Sequence, residues 1–175
     1  VKIEWVHFPL HPETPAEGRS LADLFAGRNV DRKAMHEAMK ARMDAEGLPY
    51  GERTMTYNSR LAQELGKWAD TQPGGEALHD ALFRAYFVEA RDISQPSVLL
   101  EIAASIGLSV EGAREVLEQR TFKAAVDADW ALSRQYGITG VPTFVVGRNG
   151  VVGAQPYEVL EDLVRRARTP QGGGG

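Results

Sequence analysis

The chain has 175 residues and no cysteine, with 20 lysines and arginines against 24 aspartates and glutamates, for a formal charge of −4. That length fits one domain with a substantial core, and 43% hydrophobic with 25% charged residues is ordinary globular composition. The lack of cysteine excludes a disulfide, a thiolate metal site and a cysteine nucleophile within these residues. The charge offers no pull toward nucleic acid or an anionic membrane. No apolar run approaches the ~20 residues that span a bilayer, and the opening residues lack the apolar stretch of a signal peptide.

Val1 to Leu10 reads as a strand, because Val1, Ile3 and Trp5 alternate with Lys2 and Glu4 before Val6 and Phe8. The His11-Pro12-Glu13-Thr14-Pro15 segment ends it. After a short apolar stretch at Leu21 to Phe25, Asp31 caps a helix that carries Met35, Met39 and Met43, and Gly47 stops it. Asn58 or Ser59 opens the next helix, with Leu61, Leu65 and Trp68 on one face, and Gly74-Gly75 punctuates. Leu78, Leu82, Phe83, Tyr86 and Phe87 mark a further helix. Ser94 with Pro96 soon after reads as the start of one lined by Leu99, Ile102, Ala103 and Ile106, with Gly107 at its end. Ser109 begins another, with Ala113, Val116 and Leu117 inward. Phe122, Ala125, Val126, Trp130 and Leu132 fit a helix that closes at Gly137.

The period then changes to a short β run from Val141 to Val146. Gly147-Arg148-Asn149-Gly150 supplies turn chemistry, with Asn-Gly as the hairpin signal, and Val151-Val152 begins the partner strand. Pro156 opens a last helix that ends in Arg165, Arg166 and Arg168, where cations complement the helix dipole. Thr169 to Gly175 reads as a flexible Gly-rich tail. The expected fold is therefore α/β: a mixed sheet with a helical insertion at about residues 31–137, set between the N-terminal strand and the C-terminal hairpin plus helix.

Few residues point to chemistry by themselves. His7, His11, His36 and His79 read as structural histidines, since His7 and His11 lie on a strand running into a Pro-rich loop and share no helical face. The methionine stripe suits either a packed helix face or an adaptable docking surface. Trp5, Trp68 and Trp130 read as core or pocket walls. Asp127 and Asp129 are two apart, so on a helix they diverge and form no acid/base pair. There is no dinucleotide-binding glycine motif, phosphate loop or metalloprotease signature, and no metal site is expected.

The run Gly137-Ile138-Thr139-Gly140-Val141-Pro142-Thr143-Phe144, followed by a turn, a second strand and a terminal helix, resembles the C-terminal half of a thioredoxin fold. Gly153-Ala154-Gln155-Pro156, Ala90-Arg91-Asp92-Ile93 and the opening Phe8-x-Leu10-x-Pro12 narrow the likeness. Together they resemble the DsbA-like family that includes the FrnE proteins, relatives of 2-hydroxychromene-2-carboxylate isomerase and kappa-class glutathione transferases, over nearly the whole chain.

The resemblance implies a DsbA-type thioredoxin-like domain over residues 1–168. It implies a cis bond before Pro142, and substrate contacts at Val141, Pro142, Thr143 and, less directly, His11. Val141 would pair its N–H and C=O with an extended peptide or glutathione backbone. In the bland reading, Pro142 only shapes the start of an edge strand.

The sequence also departs from the family. Members open with a strand, a Cys-x-x-Cys turn at a helix N-terminus and a long helix, before the strand that Val1 to Leu10 resembles. With that central strand elsewhere, its two neighbours would expose rows of unpaired N–H and C=O groups. A partner segment or a second copy is then expected to complete the sheet. The resemblance implies a cytoplasmic thiol–disulfide oxidoreductase or disulfide isomerase acting on protein or peptide thiols and disulfides. Its redox cysteines would lie outside this chain and no cofactor would be bound. The alternatives are a glutathione-dependent isomerase or transferase, with glutathione as co-substrate, and a redox-inactive peptide-binding or assembly module. Neither nucleic acid nor membrane is an expected partner.

Overall fold

The structure is a computed structural model, and residues 1–168 are described; the expected tail at 169–175 lies outside them. The chain divides into two compact units. One spans His11–Ala128, and the other joins Val1–Leu10 to the chain from Asp129 onward.

The His11–Ala128 unit is helical. It contains β1 (Arg19–Ser20), α1 (Leu21–Leu24), α2 (Arg32–Ala45), β2 (Met55–Thr56), α3 (Arg60–Ala69), α4 (Ala77–Phe87), α5 (Pro96–Ser105) and α6 (Val110–Gln119), and α7 (Lys123–Gln135) begins in it. Its core is the helical face read from the sequence: Leu65, Leu78, Leu99, Ala103 and Ala113 are fully enclosed. Each buried leucine contributes about 2 kcal/mol of apolar burial. The predicted start signals hold. The Asp31 carboxylate accepts from the Lys33 and Ala34 N–H groups, both at 3.0 Å. The Ser109 hydroxyl accepts from Gly112 N–H at 3.1 Å, and Pro96 occupies the first turn of α5. Asn58 starts α3 by accepting from Arg60 N–H at 2.9 Å, while its amide donates to the carbonyls of Pro12 and Thr14.

Close approach explains Gly75, where a Cβ would stand 1.7 Å from the Ala69 carbonyl oxygen. The antiparallel pairing of β1 with β2 has only two residues per strand and leaves no periodic signal. Nor does the methionine stripe pack as a core face. α2 buries no residue, and Met35 and Met39 stand exposed. Ion pairs Lys33–Glu37 and Lys40–Asp44 run along this polar helix, so its apolar stripe is too narrow to draw it inward.

In the other unit, β3 (Thr143–Val146) pairs antiparallel with β4 (Asn149–Val152), with Thr143 opposite Val152 and Val146 opposite Asn149. The turn is Gly147-Arg148, two residues earlier than the Asn-Gly reading. Gly147 takes φ +63 while Arg148 does not enter the left-handed region. A glycine at the first of two turn positions is the alternative hairpin solution, and it leaves Asn149 and Gly150 inside β4. α8 (Tyr157–Arg168) packs on both strands and buries Leu163. Arg165 and Arg166 pair with Asp162 one turn back.

Val1–Leu10 is not a strand in the structure. Alternation marks which side chains share a face, but a strand exists only with a ladder partner, and the described residues supply none here. The segment is held instead by the Asp129 carboxylate, which accepts from His7 N–H at 2.9 Å.

Candidate functional site

Val141, Pro142 and Thr143 form the loop that leads into β3. Glycines at Gly137 and Gly140 let the chain leave α7, and the Val141–Pro142 peptide bond is cis. The Thr143 hydroxyl donates to the Gly140 carbonyl at 2.7 Å, and Gly153 N–H donates to the Pro142 carbonyl at 2.7 Å. Gly153 sits at φ +87, and the Gln155 amide, donating to the Val152 carbonyl at 2.6 Å, closes the same corner. The loop is thus braced from both sides while Val141 remains half exposed. Among the described residues, neither the N–H nor the C=O of Val141 takes part in a hydrogen bond. An exposed residue with both backbone groups open at a strand start can accept an extended chain by main-chain pairing.

His11 belongs to the helical unit. It sits at φ +53, its carbonyl accepts from the Thr14 N–H and hydroxyl at 3.1 and 2.8 Å, and its Nδ1 is 3.7 Å from Glu13 Oε1. Its local role is to close the turn that follows residue 10. The other histidines have structural surroundings. His79 Nε2 lies 2.7 Å from Asp70 Oδ1, and the His36 ring lies 5.3 Å from that of Tyr50. Among the described residues, no group of three or more potential metal ligands comes together. Asp127 pairs with Arg60 and Lys123, whereas Asp129 faces His7 N–H.

Two features escaped the sequence reading. Glu64 is fully buried on α3, with Arg60 Nε at 2.7 Å and Arg120 gripping both its oxygens at 2.6 and 2.7 Å. Burial pushes its carboxyl up, but the hydrogen bonds and charges of Arg120 and Arg60 outweigh that and hold it below its usual range. Hydrogen bonds from Lys123 and Arg60 likewise lower Asp127. The second feature is Arg53, whose guanidinium lies 4.4 Å from the Tyr86 ring centre and 5.1 Å from that of Phe87. Both depend on residues tens of positions apart; the only local hint was the Arg60–Glu64 spacing of four.

The fold and the loop define a protein of the thioredoxin superfamily. Residues 1–165 match the DSBA-like thioredoxin domain, and the chain belongs to that family. The structure is similar to a probable DsbA oxidoreductase from Streptomyces coelicolor, with TM-score 0.82 and 32% identity over 91% of this chain and 73% of that one. It is also similar to the cytosolic disulfide reductase DsbM of Pseudomonas aeruginosa, solved with GSH, with TM-score 0.55 and 25% identity over 78% of each chain. The uncharacterized Bacillus subtilis protein YwbO is 25% identical over 167 residues, covering 94% of this chain and 81% of YwbO. Among the described residues no helix is long and apolar enough to cross a membrane.

Proposed function

We propose that the protein acts in thiol–disulfide exchange on protein or peptide substrates, as an oxidoreductase or disulfide isomerase of the FrnE type. The supporting observation is its 32% identity, at TM-score 0.82, to a probable DsbA oxidoreductase. In that chemistry a thiolate attacks a disulfide sulfur, a mixed disulfide forms and the second sulfur leaves as thiolate. This chain holds no cysteine, so its own residues bind and orient. Val141 pairs with the substrate backbone, while Pro142 and Thr143 fix its position. The redox thiols come from a segment or partner outside these residues, which also completes the sheet beside β3. We place the protein in the cytoplasm, as its relative DsbM is described as cytosolic.

A second reading makes glutathione the co-substrate of an isomerase or transferase, and the DsbM structure with GSH favours it. Intact mass and thiol titration of the protein isolated from its source test the first reading, together with an insulin-reduction assay. A mass above 19.2 kDa with two reactive thiols and reductase activity is the expected result. No thiol and no reductase activity, in a protein that still binds glutathione, transfers the function to the second reading.

A further inference from the structure

We infer that α2 is a docking face for a second copy of this chain, with the two helices antiparallel about a two-fold axis at Met39. Among the described residues, the large apolar side chains exposed on the helical unit are Val30, Met35, Met39, Leu48 and Phe83. All but Phe83 belong to α2 or to its two flanks. Within α2 only His36 and Met43 are partly covered, and His36 faces the Tyr50 ring at 5.3 Å. The helix is thus held along one flank while its methionine stripe stays open.

Charge decides what covers that stripe. Arg32, Met35, Met39 and Glu46 follow one another at spacings of three, four and seven, so they share a helix face. Arg32 opens α2 and Glu46 caps its end, each where the helix dipole opposes its charge. Lys33 and Lys40 pair with Glu37 and Asp44, but among the described residues neither Arg32 nor Glu46 has an ion-pair partner. The face therefore runs cation, methionine, methionine, anion, which complements itself when reversed. A two-fold axis through Met39 sets Arg32 beside Glu46 of the second copy, and symmetry makes the pair twice. The same alignment sets Met35 against Met43, and Val30 against Leu48. Methionine adapts its shape to such a partner. At 1.5 Å per residue the 14 residues span about 21 Å. One stripe of that length falls short of the roughly 800 Å² per partner of a standard interface, so the dimer is weak and reversible.

The test is sedimentation of the full chain from about 10 μM to 1 mM, the range of weak association. A reversible dimer is expected. Arg32→Glu or Glu46→Arg alone should raise its Kd about tenfold, because each sets two like-charged pairs across the axis. Both substitutions suit the helix dipole, so the loss does not come from a melted helix. Combining them restores both pairs with the signs exchanged and should return Kd to within about threefold of the original. The chain has no cysteine of its own, which allows a second measurement. On mild oxidation, Met39→Cys should form a linked dimer at least about tenfold faster than Ala41→Cys, which lies on the opposite face. A chain that stays monomeric, a Kd unmoved by either single charge variant, no recovery in the double variant, or equal linking rates would each overturn the face. An unmoved Kd would assign the dimer to another surface, such as the open edge of β3.

Discussion

Arg120 holds Glu64 with two nitrogens, Nε on Oε2 at 2.6 Å and Nη2 on Oε1 at 2.7 Å. Their positions are 56 apart in the chain, and Glu64 is fully buried. Arg120 makes this contact from a left-handed backbone, φ +55, at the end of α6. The side chain therefore stabilises while its backbone conformation costs energy.

Replacing Arg120 with alanine separates these two effects when set beside replacement with glycine. Arg120→Ala leaves a buried carboxylate with Arg60 as its remaining cation, and stability should fall by about 3 kcal/mol. Arg120→Gly loses the same pair but relaxes the left-handed backbone, so it should be more stable than the alanine variant by about 1 kcal/mol. Urea unfolding of both variants checks the order.

Acid should weaken the same pair. Glu64 is raised by burial and lowered, by more, through Arg120 and Arg60, so in the folded protein it titrates below its ordinary 4.5. The unfolded chain then binds more protons, and the contribution is complete above 4.5 and fades as pH drops through the folded value. The urea midpoint should decline below about pH 4.5, and Glu64→Gln should be less stable at neutral pH with a flatter acid limb.

Gly75 has no room for a side chain. A Cβ there would lie 1.7 Å from the Ala69 carbonyl oxygen, and backbone cannot yield as a side chain can. Gly75→Ala should destabilise by about 2 kcal/mol or more. At Gly140 a Cβ meets nothing within 4 Å, so Gly140→Ala should move stability by less than about 1 kcal/mol. Thermal unfolding distinguishes the two.

Thr143→Val keeps the shape of the side chain but removes the hydroxyl that anchors the loop to the Gly140 carbonyl. Stability should fall by about 1 kcal/mol. If the loop receives substrate backbone, affinity for an extended peptide or glutathione should drop several-fold, as read by calorimetry. Unchanged affinity would remove the loop from the binding site.

Helix positions were legible because their signals are local. Asp31, Ser109 and Pro96 announced helix starts, and the faces bearing Leu65, Leu99 and Val116 announced the core. The hairpin was legible but its turn was not, because Gly147 and Asn149-Gly150 offer competing solutions two residues apart. Val1 to Leu10 carried the alternation of a strand, and alternation says nothing of a partner. The loop at Val141 to Thr143 was readable through its resemblance to a family rather than through its chemistry. Arg120 and Arg53 were unreadable, since their importance depends on burial and on groups brought near by folding.

The hydrogen bond from His7 N–H to Asp129 joins positions 122 apart, because the helical unit interrupts the unit that this bond belongs to. Closing so long a segment of flexible chain loses more entropy than closing a short one. The helical unit closes shorter spans, such as the 67 positions between Arg60 and Asp127, and once it has condensed the remaining span is no longer a random chain. Loop-closure entropy thus favours an order in which the interior of the chain organises first and its two outlying stretches meet last. Run backward, the same hierarchy predicts that the His7–Asp129 contact is the first to part under stress, which hydrogen exchange at the His7 N–H would show.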